Sequence, residues 1–312
     1  MNKIPGTNVY FAHIDEPTID LPATGWEPEP PDRRDRSVHE GEVKNKLDMM
    51  ASATPDEELL SSEAYEALPS EYSIIDSRTK IRDQGRRGSC VAMAVCAAIE
   101  RQMLRRYDRV IQLSPLFLYY TVRRDMNRLG QEGAYIRKAM RSVRKYGVPT
   151  ETEYPYIQSD ADKIPDQHIY ASADDFSDFE YDRIDTTGIS MPMCLDKIRM
   201  MIKLKVPVAF GFWGFTNYQQ GEGATPGCIP FPGENESYKW AHAVCAVGYN
   251  DNFKIRNKIS KEETTGAICI QNSWGTTGWK GGDNGYFWLP YKYVLSRYVR
   301  DMWIPINFSW VL

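Results

Sequence analysis

QGRRGSCVAMAVCAAIERQMLRR runs from Gln84 to Arg106 and divides at Cys90. The residues ahead of the cysteine are polar or glycine. Behind it, Val91, Ala94, Val95, Ala98, Ile99 and Met103 recur at offsets of three and four. That spacing predicts one buried face of a helix beginning at about Ser89 or Cys90. A thiol at a helix start lies where backbone N–H groups and the helix dipole stabilise an anion, and the thiolate is the nucleophilic form. Cys90 is therefore a candidate nucleophile. Taken alone it reads better as a small buried hydrophobe, as Cys96 does on the same helix.

Outward from this helix the chain changes character. LSPLFLYYTVRR (113–124) and AYIRKAMRSVRKYG (134–147) predict further helices, the second ending at Gly147. Past Pro207 come VPVAFGF, HAVCAVGYN, GAICIQNS and GYFWLPY, short β-rich runs bounded by glycine, proline or asparagine. Helices first and strands second predict an α+β protein of two lobes, helical over about 80–200 and β-rich over about 201–312, rather than alternating βαβ units.

The chain has 312 residues, 42% hydrophobic and 26% charged, as a soluble globular protein does. Its net charge of −4 gives no reason to expect a nucleic-acid partner. Residues 1–66 hold fifteen acids, six bases and seven prolines. They predict a largely irregular extension, with short helical turns around Asp56–Glu66. This net −9 segment faces a remainder of net +5, so it reads either as a solvated acidic tail or as a pro-segment covering a cleft. The start, MNKIPGTNVYFAHIDEPTID, lacks the apolar core of a signal peptide, and no run is long and apolar enough for a membrane span. Cytoplasmic synthesis is the expectation, with non-classical export left open. Six cysteines without a C-x-x-C spacing and only four histidines predict reduced thiols and no structural metal site.

Two downstream stretches give Cys90 company. WAHAVCAVGYN (240–250) holds His242, the one histidine in an apolar β-run; His13 and His39 lie in the extension and His168 in a polar loop. IQNSWGTTGWKGGDNGYFWLP (270–290) holds Asn272 and Trp274. Together with QGRRGSC these stretches resemble, in order, the glutamine–cysteine, histidine and asparagine motifs of papain-family cysteine peptidases. The resemblance runs from about Leu68 to Ile304, within a catalytic domain placed at 67–312. It implies a helical left lobe, a barrel-like right lobe and a cleft between them. It implies Cys90 as nucleophile forming a thioester, His242 as base and acid, Asn272 orienting the imidazole and Gln84 donating to the oxyanion. It further implies Trp274 shielding the histidine–asparagine bond, and Gly133 and Ala243 lining the substrate path. No cofactor is implied, and the partners would be a peptide or protein substrate and the chain's own N-terminal segment.

Some positions depart from the family pattern. Arg87 stands where the family often has a disulfide-bonded cysteine, and Val91 replaces the usual aromatic. Glu132-Gly133 replaces a glycine pair, placing an acid near the substrate path. NFKIRNKISKEETTG (252–266) is a charged insertion expected to form a surface hairpin or loop. The same motif set would serve a thiol acyltransferase or ligase, or a catalytically silent peptide-binding module.

Overall fold

The computed structural model describes residues 24–37, 68–216, 225, 227–277 and 282–308. The predicted central helix is α1, Cys90–Tyr107, and every residue from Cys90 to Leu104 is buried. Its small side chains let neighbours close in on all sides, so it is a core helix rather than a one-faced surface helix. It ends at Asp108, whose φ of 48° is the left-handed turn that stops a helix. Helix α2 is Pro115–Asp125; Ser114 caps it by accepting the Phe117 amide, and Pro115 takes the first turn, where no donor is needed. Helix α3 is Ile136–Tyr146, ending at Gly147 (φ 67°). A Cβ at Gly147 would lie 1.6 Å from the Ala173 carbonyl oxygen, so only glycine fits there. Helix α4, Gln167–Asp174, carries His168, expected in a loop and found in the helix's first turn. Its periodic residues Ile169 and Ala173, which pack on Phe117, outweigh the polar local composition.

The β-rich half is one mixed-length antiparallel sheet. Its strands are β1 (Glu71–Ser73), β2 (Phe179–Arg183), β3 (Val208–Phe215), β4 (Tyr238–Arg256), β5 (Glu263–Gln271), β6 (Tyr286–Pro290) and β7 (Val299–Phe308). The order is β2-β7-β3-β4-β5-β6, with β1 added to β4. Among the described residues this path is open, so the right lobe curves without closing into a barrel. The outer strand β2 is met instead by the N-terminal segment, where Ser37 bridges Arg183 and the Arg183 amide donates to the Arg36 carbonyl at 2.9 Å. Strand β2 precedes residue 201, and helix α5, Met191–Lys203, runs across that position and packs on β1, β3 and β4. A short helix α6, Tyr291–Leu295, joins β6 to β7.

The charged insertion is a hairpin arm: Lys254, Ile255 and Arg256 pair with Thr265, Thr264 and Glu263 beyond the body of the sheet. His242, on β4, and Asn272, directly after β5, are thirty positions apart, and this arm takes up part of that span. All six cysteines are free. Among the described residues no helix is long and apolar enough to cross a membrane, and no cluster of three or more histidines, cysteines and acids could hold a metal ion. The Asp56–Glu66 turns lie outside the described residues, as do His13 and His39.

Candidate active site

Cys90 is the first residue of α1, and Ser89 is its N-cap. Ser89 makes no capping bond with its side chain; its hydroxyl is 2.6 Å from the Tyr156 hydroxyl, which donates to the Gln84 carbonyl at 3.1 Å. The loop before the cysteine is held from three sides. Arg82 pairs with the buried Glu100 at 2.6 Å. The Gln84 amide donates to the Ser273 carbonyl at 2.9 Å and the Gly275 amide to the Arg82 carbonyl at 3.0 Å, which draws the loop onto the residues after Asn272. Glu132 accepts from the Gly88 amide at 2.6 Å, from Arg87 at 3.0 Å and from the Tyr119 hydroxyl. The carboxylate expected near the substrate path thus faces the loop that precedes Cys90. Those donors outweigh burial and hold it below the usual carboxylate range. Arg87, standing where a disulfide cysteine is often found, is tied to the same loop system by this ion pair and by a bond to the Gln158 carbonyl at 2.9 Å.

His242 lies on β4 opposite Phe212 of β3 and is fully buried. Its Nε2 is 2.8 Å from Asn272 Oδ1. Asn272 Oδ1 also accepts the Ser273 amide at 2.7 Å, and the Asn272 amide donates to the Gly285 carbonyl at 2.9 Å, so the acceptor is fixed in place. With Nε2 as the donor, Nδ1 is the basic nitrogen, and it has no hydrogen-bond partner among the described residues. Trp274 stacks on the imidazole at 4.4 Å and an interplanar angle of 27°. Trp240 and Phe212 close around the ring edge-on. Burial among these aromatics pushes the imidazole down to about 4, against the opposing bond from Asn272. Gln84 is buried, its Nε2 donating to the Arg87 carbonyl at 2.7 Å and its Oε1 accepting from Ser273 Oγ at 2.6 Å.

The backbones of Ala243, the residue after His242, of Gly25 and Trp26 in the N-terminal segment, and of Val91 each act on the Cys90 thiol in favour of its anion. Burial nevertheless dominates and pushes the Cys90 thiol up to about 11. Gly25–Glu27 lie in register with the residue after Gly133: the Ala134 amide donates to the Gly25 carbonyl at 2.7 Å and the Glu27 amide to the Ala134 carbonyl at 3.1 Å. Gly25 passes so close to the loop that precedes Cys90 that a Cβ there would lie 2.1 Å from the Gly88 carbonyl oxygen. The segment then runs across α3 to β2 as a strap. Its ion pairs include Glu27–Arg128 (2.5 Å), Glu29–Arg137 (2.8 Å), Asp35–Arg137 (2.7 Å) and Arg36–Asp182 (3.3 Å).

Of the seven residues singled out from the sequence, His242, Asn272 and Trp274 are joined by the 2.8 Å bond and the ring stack, and Gln84 reaches them through Ser273. Cys90 and Ala243 belong to the same buried core as Trp274, and Gly133 faces Gly25 of the strap. Sequence reasoning missed Ser273, Tyr156 and Glu132 as supports, and Gly25 and Trp26 as occupants. Only Ser273, adjacent to Asn272, carried any signal of its role.

The papain family cysteine protease model matches residues 68–297. A peptidase C1-like protein of Acanthamoeba polyphaga mimivirus is 32% identical over 226 residues, 71% of this chain and 68% of that protein. Cathepsin K of Gallus gallus is 31% identical over 217 residues, 68% of this chain and 55% of the cathepsin. Among solved structures, xylellain, a cysteine protease of Xylella fastidiosa, superposes with a TM-score of 0.70 at 25% identity, covering 94% of this chain and 100% of xylellain. The proform of the ragweed pollen cysteine protease Amb a 11 has the same fold, with a TM-score of 0.53 at 19% identity over 85% of this chain and 75% of that one.

Proposed function

The chain belongs to the papain family of cysteine proteases, and from that premise we propose that it hydrolyses peptide bonds through a thioester on Cys90, with residues 24–37 as an intramolecular cover of the groove. The observation that carries the reaction is the buried His242, with Nε2 held 2.8 Å from Asn272 and Nδ1 left without a partner beside the cysteine's own neighbour, Ala243. Nδ1 takes the thiol proton, the sulfur attacks the carbonyl carbon, and the same proton passes to the leaving amine. Water then attacks the thioester, giving its proton to Nδ1, and the acid leaves as the S–C bond breaks. The Cys90 backbone N–H and the Gln84 amide, oriented by Arg87 and Ser273, donate to the oxyanion of both tetrahedral intermediates. Trp274 excludes water from the bond that orients the imidazole.

In the strap-covered state the thiol is pushed up to about 11 and the imidazole down to about 4, so both groups are neutral at neutral pH. That is a resting arrangement, since the attacking species is a thiolate. The strap's contacts with the sulfur come from the backbone of Gly25 and Trp26 and favour the anion, as hydrogen-bond donors do. Its bridge from Trp26 to Ala134 is parallel. Lifting the strap admits water and substrate together.

Labelling with an epoxide-type thiol-peptidase inhibitor, followed by peptide mapping, tests the nucleophile. The adduct is expected on Cys90, and an adduct on any other cysteine would overturn the assignment. Product analysis with an added amine separates hydrolysis, which yields the free acid, from acyl transfer, which yields the amide.

A further inference from the structure

The peptide unit that joins Arg87 to Gly88 is held from both sides. Its carbonyl oxygen accepts Gln84 Nε2 at 2.7 Å. Its N–H donates to Glu132 Oε2 at 2.6 Å. In a trans peptide the carbonyl and the N–H point to opposite sides of the chain, so these two bonds fix one plane between Gln84 and Glu132. Gly88 gives this peptide no stiffness of its own. Glycine takes positive and negative φ about equally, so a rotation that turns the Arg87 carbonyl away from Gln84 meets little intrinsic resistance. Glu132 is anchored from outside the loop, in the connection from α2 to α3. Its Oε1 takes Arg87 Nη1 at 3.0 Å, and its Oε2 also takes the hydroxyl of Tyr119, a buried residue of α2.

We propose that Glu132 is a positioning residue for the oxyanion donor: by holding the Gly88 N–H it keeps the Arg87 carbonyl turned to Gln84, and so fixes where the Gln84 amide points. The inference rests on the reading of Cys90 as nucleophile and of Gln84 as an oxyanion donor. A side-chain amide nitrogen carries two hydrogens. One is bound to the Arg87 carbonyl and the amide oxygen is bound by Ser273 Oγ, which sets the plane of the group and with it the direction of the second N–H. A donor of this kind is worth most when it is aimed beforehand at the place where charge develops. A carboxylate suits the task, because a charged acceptor binds an N–H more strongly than a neutral one does, and its two oxygens take all three donors at once. The loop keeps its course without Glu132. Arg87 Nε donates separately to the Gln158 carbonyl at 2.9 Å, and the Arg86 amide to Gln158 Oε1 at 2.9 Å. The Glu132 side chain is 46% exposed, so replacing it opens no cavity in the core.

The test measures kcat and KM on one fluorogenic peptide, in the full chain carrying Trp26→Ala, which removes the buried anchor of the strap. Adding Glu132→Ala should lower kcat about 10- to 100-fold with KM unchanged, because a group misplaced by about 1 Å can cost roughly a hundredfold and the loss cannot exceed that of Gln84→Ala. Glu132→Gln keeps an oxygen for the Gly88 N–H and should restore most of the rate. In a chain that already carries Gln84→Ala, Glu132→Ala should have no further effect, since no amide is left to orient. A brace that served the fold alone would lower both backgrounds alike. An equal fall in the two backgrounds therefore overturns the inference, as does a rise in KM at constant kcat, or a glutamine variant as slow as the alanine one. If the parent cleaves no peptide, or Gln84→Ala leaves kcat unchanged, the proposed reaction or the role of Gln84 in it fails, and the positioning is judged by NMR alone. The side-chain amide protons of Gln84, identified by their absence from Gln84→Ala, should keep their shifts in Glu132→Gln and should move and exchange faster with solvent in Glu132→Ala. Protons that neither move nor exchange faster in Glu132→Ala overturn the positioning.

Discussion

Truncating Trp26 to alanine in the full chain should expose the nucleophile. The indole is 97% removed from solvent, packs on Trp213 and donates to Asp301. Truncating a side chain of this size in a core costs about 3–5 kcal/mol. Here the loss falls on strap docking, because every contact of the indole named above joins the strap to the body of the domain. Even the low end, about 3 kcal/mol, raises the undocked-to-docked ratio roughly 150-fold. The remaining ion pairs from Glu27 and Glu29 are partly solvated and offset little, since exposed pairs are worth about 0–1 kcal/mol each. Cys90 is fully buried, so an alkylating reagent reaches it only when the strap lifts. Cys228 is half-buried and independent of the strap's contacts, which makes it an internal reference thiol. Peptide mapping after brief iodoacetamide treatment at neutral pH should show the Cys90-to-Cys228 labelling ratio rising about a hundredfold, in step with the undocked fraction. An unchanged ratio in a folded variant would refute the claim that the strap closes the site.

Cys90→Ala and His242→Ala should each abolish peptide hydrolysis, whereas Gln84→Ala should retain activity lowered about a hundred- to a thousandfold, as for loss of one oxyanion donor. Asn272→Ala should also retain measurable turnover, because it orients the base without exchanging protons itself; full activity would show that another group orients the ring. Fold stability should fall in acid. Folded His242 sits at about 4 and an unfolded imidazole near 6.5, so the unfolded state binds the extra proton between those values. The contribution is fully present above 6.5, loses up to about 3 kcal/mol as the pH falls towards 4, and levels off below. The Tm of the parent should therefore drop more between pH 7 and pH 5 than that of His242→Ala; an equal drop in both would count against the linkage. Glu132→Ala leaves the Gly88 amide, Arg87 and Tyr119 without their shared acceptor, and should lower stability by about 1–2 kcal/mol, read as a Tm drop of roughly 2–8 °C.

The architecture was legible wherever local pattern and tertiary role agree. The three- and four-residue spacing behind Cys90, the Ser114-Pro115 start of α2 and the Gly147 end of α3 each encode their element in adjacent residues. His168 shows the opposite case, since its polar surroundings hide a helix that exists because Ile169 and Ala173 pack against Phe117. The openness of the sheet was also hidden, because closure depends on how the strands twist and which edges meet, and no strand sequence carries that.

For the candidate site, what the sequence by itself determined is a set of residue types in a given order. A cysteine at a helix start, a histidine in an apolar strand and an asparagine before a Trp-Gly turn are residue types whose order can be read along the chain. What only the tertiary structure decided is the state in which these groups are held. The 2.8 Å bond from His242 to Asn272 exists because a hairpin arm absorbs the intervening residues. The placing of Trp26 against Gly211 and Asp301 joins residues up to 275 apart. Glu132, read as an acid in the substrate path, is a brace for the loop that precedes Cys90. In each case the deciding quantity is burial together with the identity of the neighbouring donor, and both are set by which distant segments close over a group.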